Sequence, residues 1–373
     1  MAQKLKLMTI IGTRPEIIRL SSVMKCADKY LDHIVVHTGQ NWDYSLNQVF
    51  FDDLELRAPN YYLDAAGSHL GETIGNIIAK SYDVMFKERP DAVLILGDTN
   101  SALSAISAKR QKIPIFHMEA GNRCWDWNVS EMINRKIVDH IADINLPYTE
   151  HSRRYLISEG IDGKTIFVTG SPMREVLETY WEKIENSNVL ERMGLTEGKY
   201  FVVSAHREEN IDNEENFMAL MNAINHIAEI YQIPVVYSTH PRSRKLIEAR
   251  GFKFHPLVQN MIPFSFTDYN KLQMCSYCVL SDSGTLSEES AMLHFPGVLI
   301  RTSTERPEVL DKGTVVIGGI QTKDVEQAVG LAVSMKDEPV VEAEDYTDSN
   351  VSVKVIKLIQ SYTHIVNKAV WLK

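Results

Sequence analysis

The sequence predicts an α/β protein built from two doubly wound, Rossmann-like domains with parallel sheets. Short runs rich in Val, Ile and Leu alternate with longer stretches of helical period along almost the whole chain. That alternation is the signature of parallel strands buried on both faces beneath amphipathic helices. The pattern restarts after residue 170, where a charged helical stretch and the linker 194–200 precede a fresh strand. The length of 373 residues exceeds one ordinary core and suits two domains of roughly 150–200 residues each.

In the first half, strands are expected at 5–12, 33–38, 92–97, 113–118, 144–148 and 165–170. In the second they are expected at 200–205, 234–239, 277–281, 297–300 and 314–318. Helical patterns fall at 15–29, 69–88, 131–140, 149–158, 172–192, 213–231, 285–293 and 322–336. A last helix, 350–370, reads as crossing back to the first domain. The expected division is therefore residues 1–171 with 350–373, and residues 172–349, the two domains facing across a cleft.

The net charge of −10 argues against a nucleic-acid partner, because binding a phosphate backbone needs a basic face. No window approaches the roughly 18 apolar residues of a membrane span. The apolar run at the N-terminus is too short for a secretory signal, so a cytoplasmic location is expected. The triplets at Asn128 and Asn350 match the glycosylation pattern only. Cys275 and Cys278 form a C-x-x-C that closes a helical stretch and enters a strand, the reverse of the order in a redox pair. With Cys26 and Cys124 far away in sequence, these read as buried apolar residues, and no metal site is expected.

In open parallel sheets, ligands bind outside the carboxyl ends of the strands. Thr13, Arg14, Pro15 and Glu16 follow the first strand; Asp98, Thr99 and Asn100 follow the third. His117 and Glu119 to Arg123 close the fourth. In the second half the strand ends carry His206 to Glu209, His240 to Arg242, and Asp282 to Thr285. Ser283 and Gly284 stand at the mouth of helix 285–293, where free N–H groups and the positive helix end favour an anion. Glu289 further along that helix suits two ribose hydroxyls; a plain helix cap with Ser283 at the N-cap is the alternative. Arg14 offers a phosphate fork in the turn G-T-R-P-E, against a plain strand-to-helix loop. Neither G-x-G-x-x-G nor G-x-x-x-x-G-K-[ST] follows a strand, so the dinucleotide and P-loop readings lack their fingerprints.

Asp98, Glu119 and Glu131 follow three different elements of the first half. Asp98 also suits a helix cap, Glu131 a helix-dipole partner, and His206 and His240 ordinary loop positions. Convergence of phosphate-seeking groups and separate carboxylates on one crevice favours the catalytic reading.

With G-T-R-P-E at 12–16, G-D-T at 97–99, E-A-G at 119–121, H-R-E at 206–208, D-S-G at 282–284 and T-E-R-P-E at 304–308, the chain resembles the non-hydrolysing UDP-N-acetylglucosamine 2-epimerase family. The resemblance implies a fold of the glycosyltransferase-B type, a homodimer, no metal or nicotinamide, and inversion at C2 of a UDP-N-acetyl-hexosamine. UDP would be eliminated to give a glycal, then added back with the proton delivered from the other face. Carried over by motif, it implies an acid/base set of Asp98, Glu119, Glu131 and His206. Arg14, His206, Ser283 and Gly284 match its diphosphate site, Glu289 its ribose carboxylate, and His240 and Arg306 further lining positions.

Departures from the family pattern point to a narrower branch. Arg19 replaces the usual Lys, Thr285 the second glycine of D-S-G-G, and residues 130–135 read S-E-M-I-N-R, keeping Glu131, Asn134 and Arg135. Gln40 to Tyr44 replaces the loop that carries an activating nucleotide-sugar site in classical members. With E-A-G-N-R-C-W-D at 119–126, these features are similar to the capsule and O-antigen branch that makes UDP-N-acetyl-L-fucosamine from UDP-N-acetyl-L-talosamine. The competing readings are the classical epimerase, a hydrolysing one, a glycosyltransferase of the same fold, and a non-catalytic sensor.

Overall fold

The computed structural model describes residues 3–39, 48–124, 131–301 and 304–373, leaving aside the side chains of Gln48, Glu208 and Glu209. Asn128, the stretch Gln40 to Tyr44, Trp125, Asp126 and Ser130 lie outside the described residues. The chain forms two compact units, Met1–Thr179 with Glu344–Lys373, and Tyr180–Ala343.

The sheet of the first unit contains β1 (Lys6–Ile11), β2 (Asp32–His37), β3 (Tyr61–Tyr62), β4 (Ala92–Leu96), β5 (Ile115–Met118) and β6 (Ile144–Leu146). Its order is β3-β2-β1-β4-β5-β6 and every pairing is parallel. The second unit carries β7 (Phe201–Ser204), β8 (Val235–Ser238), β9 (Val258–Met261), β10 (Cys278–Ser281), β11 (Gly297–Leu299) and β12 (Val316–Ile317). Its order is β12-β11-β10-β7-β8-β9, again all parallel. Counted from its own first strand, the second sheet repeats the order of the first. Each is therefore doubly wound about one switch point, β1/β4 in the first unit and β7/β10 in the second, where such sheets open a crevice for ligands.

The physical basis is plain in the burial. Strands β4 and β5 are buried at every position, as central parallel strands require. Helix Arg14–Tyr30 buries Ile17, Leu20, Val23, Met24 and Ala27, a helical-period stripe facing the sheet. Helix Val351–Ala369 buries Val351, Val355, Ile359 and Val366 and packs against Arg14–Tyr30 within the first unit.

Three expectations need correction. Residues 165–170 form no strand, only a single parallel bridge from Ile166 to Asn145. Phe167 and Thr169 donate to the carbonyls of Asn145 and Pro147, but Pro147 has no N–H to return a bond and the ladder stops. The stretch 172–192 is not one helix but three: Met173–Thr179, Trp181–Glu185 and Val189–Met193. The polar run Asn186–Asn188 breaks it, the Ser187 hydroxyl accepting from Val189 N and donating to Asp268. The division of the units falls inside this stretch, so Met173–Thr179 stays with the first unit. Strands β3 and β9, both outside the expected set, are short and only partly buried. Among the described residues, no helix is long and apolar enough to cross a membrane.

Candidate active site

At the first switch point, β1 runs into Gly12 and Thr13, and Pro15 sits in the first turn of helix Arg14–Tyr30. The Arg14 guanidinium lies over the Phe50 ring at 5.8 Å. Strand β4 is followed by Gly97, Asp98 and Thr99, and the Thr99 hydroxyl caps the short turn Asn100–Ser104. Glu16 joins the two loops. Its Oε2 accepts from Gly12 N (2.8 Å), Thr13 N (2.7 Å) and the Thr13 hydroxyl (2.9 Å), and its Oε1 from the Thr99 hydroxyl (2.9 Å).

Next to this tie lies a cluster of opposite charges. Arg135, on helix Glu131–Ile141, donates to Asp98 Oδ2, to the Glu119 carbonyl and, at 3.2 Å, to Glu119 Oε1. Arg19 donates to Glu119 Oε2 and stacks over Tyr148. Asp98, Glu119, Arg19 and Arg135 thus form a balanced quartet of two anions and two cations. Asn134 fixes the Asp98 carbonyl at 2.9 Å. Glu119 holds a left-handed backbone, φ 60°, uncommon for a residue with a side chain. Glu131 opens the helix that supplies Asn134 and Arg135.

Behind the quartet runs a second buried network. His117 Nε2 reaches the Gly97 carbonyl (2.7 Å) and its Nδ1 lies 3.0 Å from Asp139. Asp139 also takes Arg123 at 2.8 Å, and Arg123 grips Glu159 with both arms. Burial would push the Asp139 carboxyl up, but His117, Arg123 and Arg135 hold it below its ordinary value.

At the second switch point the tie is Asp282, fully buried after β10. Its Oδ2 accepts from His206 N (2.9 Å), Arg207 N (2.9 Å) and Asn210 Nδ2 (3.2 Å). His206 Nδ1 stands 3.3 Å from Oδ1, without the geometry of a hydrogen bond. The His206 and His240 rings lie 5.8 Å apart, although His240 also caps helix Pro241–Ala249 through Arg242 N. Gly284, not Ser283, is the N-cap of helix Thr285–Leu293, and a Cβ at Gly284 would meet nothing within 4 Å. The Ser283 hydroxyl instead accepts from Thr285 N at 3.3 Å and bonds the Thr285 hydroxyl. Glu289 is buried with one oxygen held by Gln273 (2.9 Å), and Arg306 is buried 3.5 Å from Glu288.

The structure thus brings Asp98, Glu119, Arg19 and Arg135 together in the first unit, and His206, His240, Ser283 and Gly284 to neighbouring strand ends in the second. Sequence reasoning gave no role to Glu16, Thr99, His117, Asp139 or Asp282. The spacing Thr13–Glu16 was a usable signal for the first; the others act over long separations. Cys275 and Cys278 are buried free thiols, and burial pushes Cys278 up to about 12.

These strand ends, on two doubly wound sheets, are those of a nucleotide-sugar enzyme. The family model for UDP-N-acetylglucosamine 2-epimerase matches residues 25–360. The chain belongs to this family and is an isomerase with 2-epimerase-type activity. A structure of UDP-N-acetylglucosamine 2-epimerase from Rickettsia bellii is similar over 100% of both chains, with TM-score 0.92 and 44% identity. The enzyme of Methanocaldococcus jannaschii, in complex with UDP-GlcNAc and UDP, has TM-score 0.90 and 30% identity, covering 96% of this chain and 100% of that one. The UDP-2,3-diacetamido-2,3-dideoxy-D-glucuronate 2-epimerase of Pseudomonas aeruginosa is 33% identical, over 90% of this chain and 94% of its own length. The α/β architecture is therefore that of the glycosyltransferase-B-like epimerases.

Proposed function

We propose that this chain converts UDP-N-acetyl-L-talosamine to UDP-N-acetyl-L-fucosamine by eliminating UDP and adding it back, without net hydrolysis. A carboxylate takes the C2 proton, the C2–H electron pair becomes the C1=C2 bond, and the C1–O bond breaks so that UDP leaves with its pair. In the return step UDP oxygen attacks C1 and a proton reaches C2 from the opposite face. Loss of UDP makes C2–H acidic enough to transfer, which a hexosamine without a neighbouring carbonyl otherwise lacks.

The observation that carries the reading is the quartet Asp98–Arg135–Glu119–Arg19. It presents two carboxylates from different strand ends, joined by Arg135 and one of them also held by Arg19, beside a ligand crevice, as proton removal and return on two faces require. Glu131 is the third member of the acid/base set. Arg14, His206, Ser283 and Gly284 take the diphosphate, stabilising the leaving group. Glu289 takes the ribose, while His240, Arg135 and Arg306 line the ligand. The branch assignment is supported by Arg19 and Thr285 in place of the usual Lys and Gly, and by the altered segments around residues 40–44 and 119–135.

A second reading, UDP-GlcNAc as substrate, is favoured by the ligand of the Methanocaldococcus relative. The Pseudomonas relative, equally diverged in sequence, acts on another sugar, so identity of this order leaves the sugar open. Incubation in heavy water with each UDP-sugar, followed at C2–H by NMR, decides. Deuterium at C2 and a new epimer with the L-sugar alone support the branch; exchange with UDP-GlcNAc moves the assignment to the second reading. No exchange with either overturns both.

A homodimer is part of the same proposal. Helix Leu70–Glu88 exposes Leu70, Tyr82 and Phe86 and half-exposes Ile74 and Ile78, an inclined apolar stripe that a second copy would cover. Light scattering should give a dimer, and Phe86→Glu a monomer; a wild-type monomer at working concentration refutes it.

A further inference from the structure

We propose that Glu16 is a positioning residue for the C2 chemistry, fixing the loop that carries Arg14 and the loop that carries Asp98 in one arrangement at the first switch point. The inference rests on the elimination–addition reading above.

Glu16 is fully buried and accepts from two backbone N–H groups and two hydroxyls. Thr13 and Glu16 have the spacing of a capping box, which explains the bond to Thr13 N. It does not explain the second N–H, from Gly12, or Oε1, which reaches Thr99 on the loop after β4. Thr99 directly follows Asp98, and Arg14 directly follows Thr13, so one carboxylate governs both functional loops.

All four partners donate, and among the described residues no cation is paired with Glu16. The ionisable groups on the surrounding elements are engaged elsewhere. On its own helix Arg14 lies over Phe50 and Arg19 holds Glu119. Asp98 and Glu119 take Arg135, His117 reaches Gly97, and His37 accepts from Gly39 N. Only the ionised carboxylate can receive every donor at once. A proton on Oε1 would make the Thr99 hydroxyl turn and accept instead of donate, so its own hydrogen loses the carboxylate and the tie to the β4 loop changes geometry.

Burial pushes the Glu16 carboxyl up to about 7, so this change falls within an ordinary assay range. Activity carried by the ionised form rises with pH through that value. Stability runs the opposite way. With its folded pKa raised, Glu16 contributes fully below its unfolded value of 4.5 and loses that contribution as pH rises through about 7.

The test is kcat, KM and thermal stability against pH for wild type, Glu16→Gln, Thr99→Val and Thr99→Ser. Wild-type kcat should show an acid limb near pH 7. Glu16→Gln, shaped like the protonated form, should lower kcat about tenfold above the limb, leave KM within about threefold, and show no limb. The wild-type fall in stability between pH 4.5 and about 7 should be absent in it. Thr99→Val should lower kcat and Thr99→Ser restore it. An unchanged kcat, or a persisting limb, in Glu16→Gln overturns the proposal. If that variant fails to fold, a wild-type kcat in Thr99→Val does so instead. Absence of C2–H exchange in the wild type would sink the underlying reading rather than this one.

Discussion

In the first unit the carboxylate that joins the two loops of the switch point comes from the helix after β1; in the second it comes from the end of β10. Glu16 receives only neutral donors and lies beside a balanced quartet of charges. Asp282 receives backbone N–H groups and keeps an imidazole, His206, at its other oxygen. The strand order is the same, yet the first switch point carries a cluster of paired charges and the second leaves space at the mouth of helix Thr285–Leu293. One scaffold has been specialised twice through the residues at its strand ends, as fold-level reasoning alone would miss.

The comparison breaks most visibly at the quartet. Asp98→Asn and Glu119→Gln should lower kcat by about 10²–10⁴ while leaving UDP affinity within a few fold. Isothermal titration with UDP beside turnover assays checks this, and comparable losses in both would erase the division of labour. Asp282→Asn should act the other way, weakening UDP binding by about 10–100-fold through one lost charged acceptor. Unchanged UDP affinity there would mean that the second tie is structural only.

A glycine from each unit sharpens the contrast. Gly121 has φ 81° and a Cβ there would lie 2.5 Å from the Ser152 carbonyl oxygen. Gly121→Ala should cost about 2 kcal/mol or more in denaturant unfolding. Gly284, with φ −62° and open space, should tolerate Ala within about 0.5 kcal/mol yet bind UDP several-fold more weakly. Equal stability losses would deny the second unit its open helix mouth. The smallest effect belongs to Cys278→Ala, which should leave turnover unchanged, while the native thiol, pushed up to about 12, resists alkylation at neutral pH. Rapid labelling of folded protein would contradict its burial.

Much of this was legible in the sequence because parallel sheets place function at strand ends. The apolar runs behind β1, β4, β7 and β10 are long enough to stand out, and Arg14, Asp98, His206 and Ser283 follow them directly. What escaped was whatever depends on distant partners. T-R-P-E reads as a local cap, and only the fold brings Thr99 to the other oxygen of Glu16. The chain His117–Asp139–Arg123–Glu159 joins residues from a strand, a helix, a loop and the turn after helix Glu150–Ser158, with no periodic signal. Strand β9, with the polar sequence VQNM, lacks the apolar run that marks its neighbours. Residues 165–170 have the right composition for a strand but lie beside the three-residue β6, which is followed at once by Pro147.

Helix Val351–Ala369 carries a consequence for biosynthesis. It completes a unit whose other residues were made some 170 positions earlier, fastened by Lys354 to the Thr169 carbonyl and by Glu175 to Ser352 N. On the ribosome, the second unit is finished while the first still lacks a helix that covers Arg14–Tyr30. The usual N-terminal-first order is reversed: the earlier half of the nascent chain must keep an apolar groove open until the whole second unit has been made.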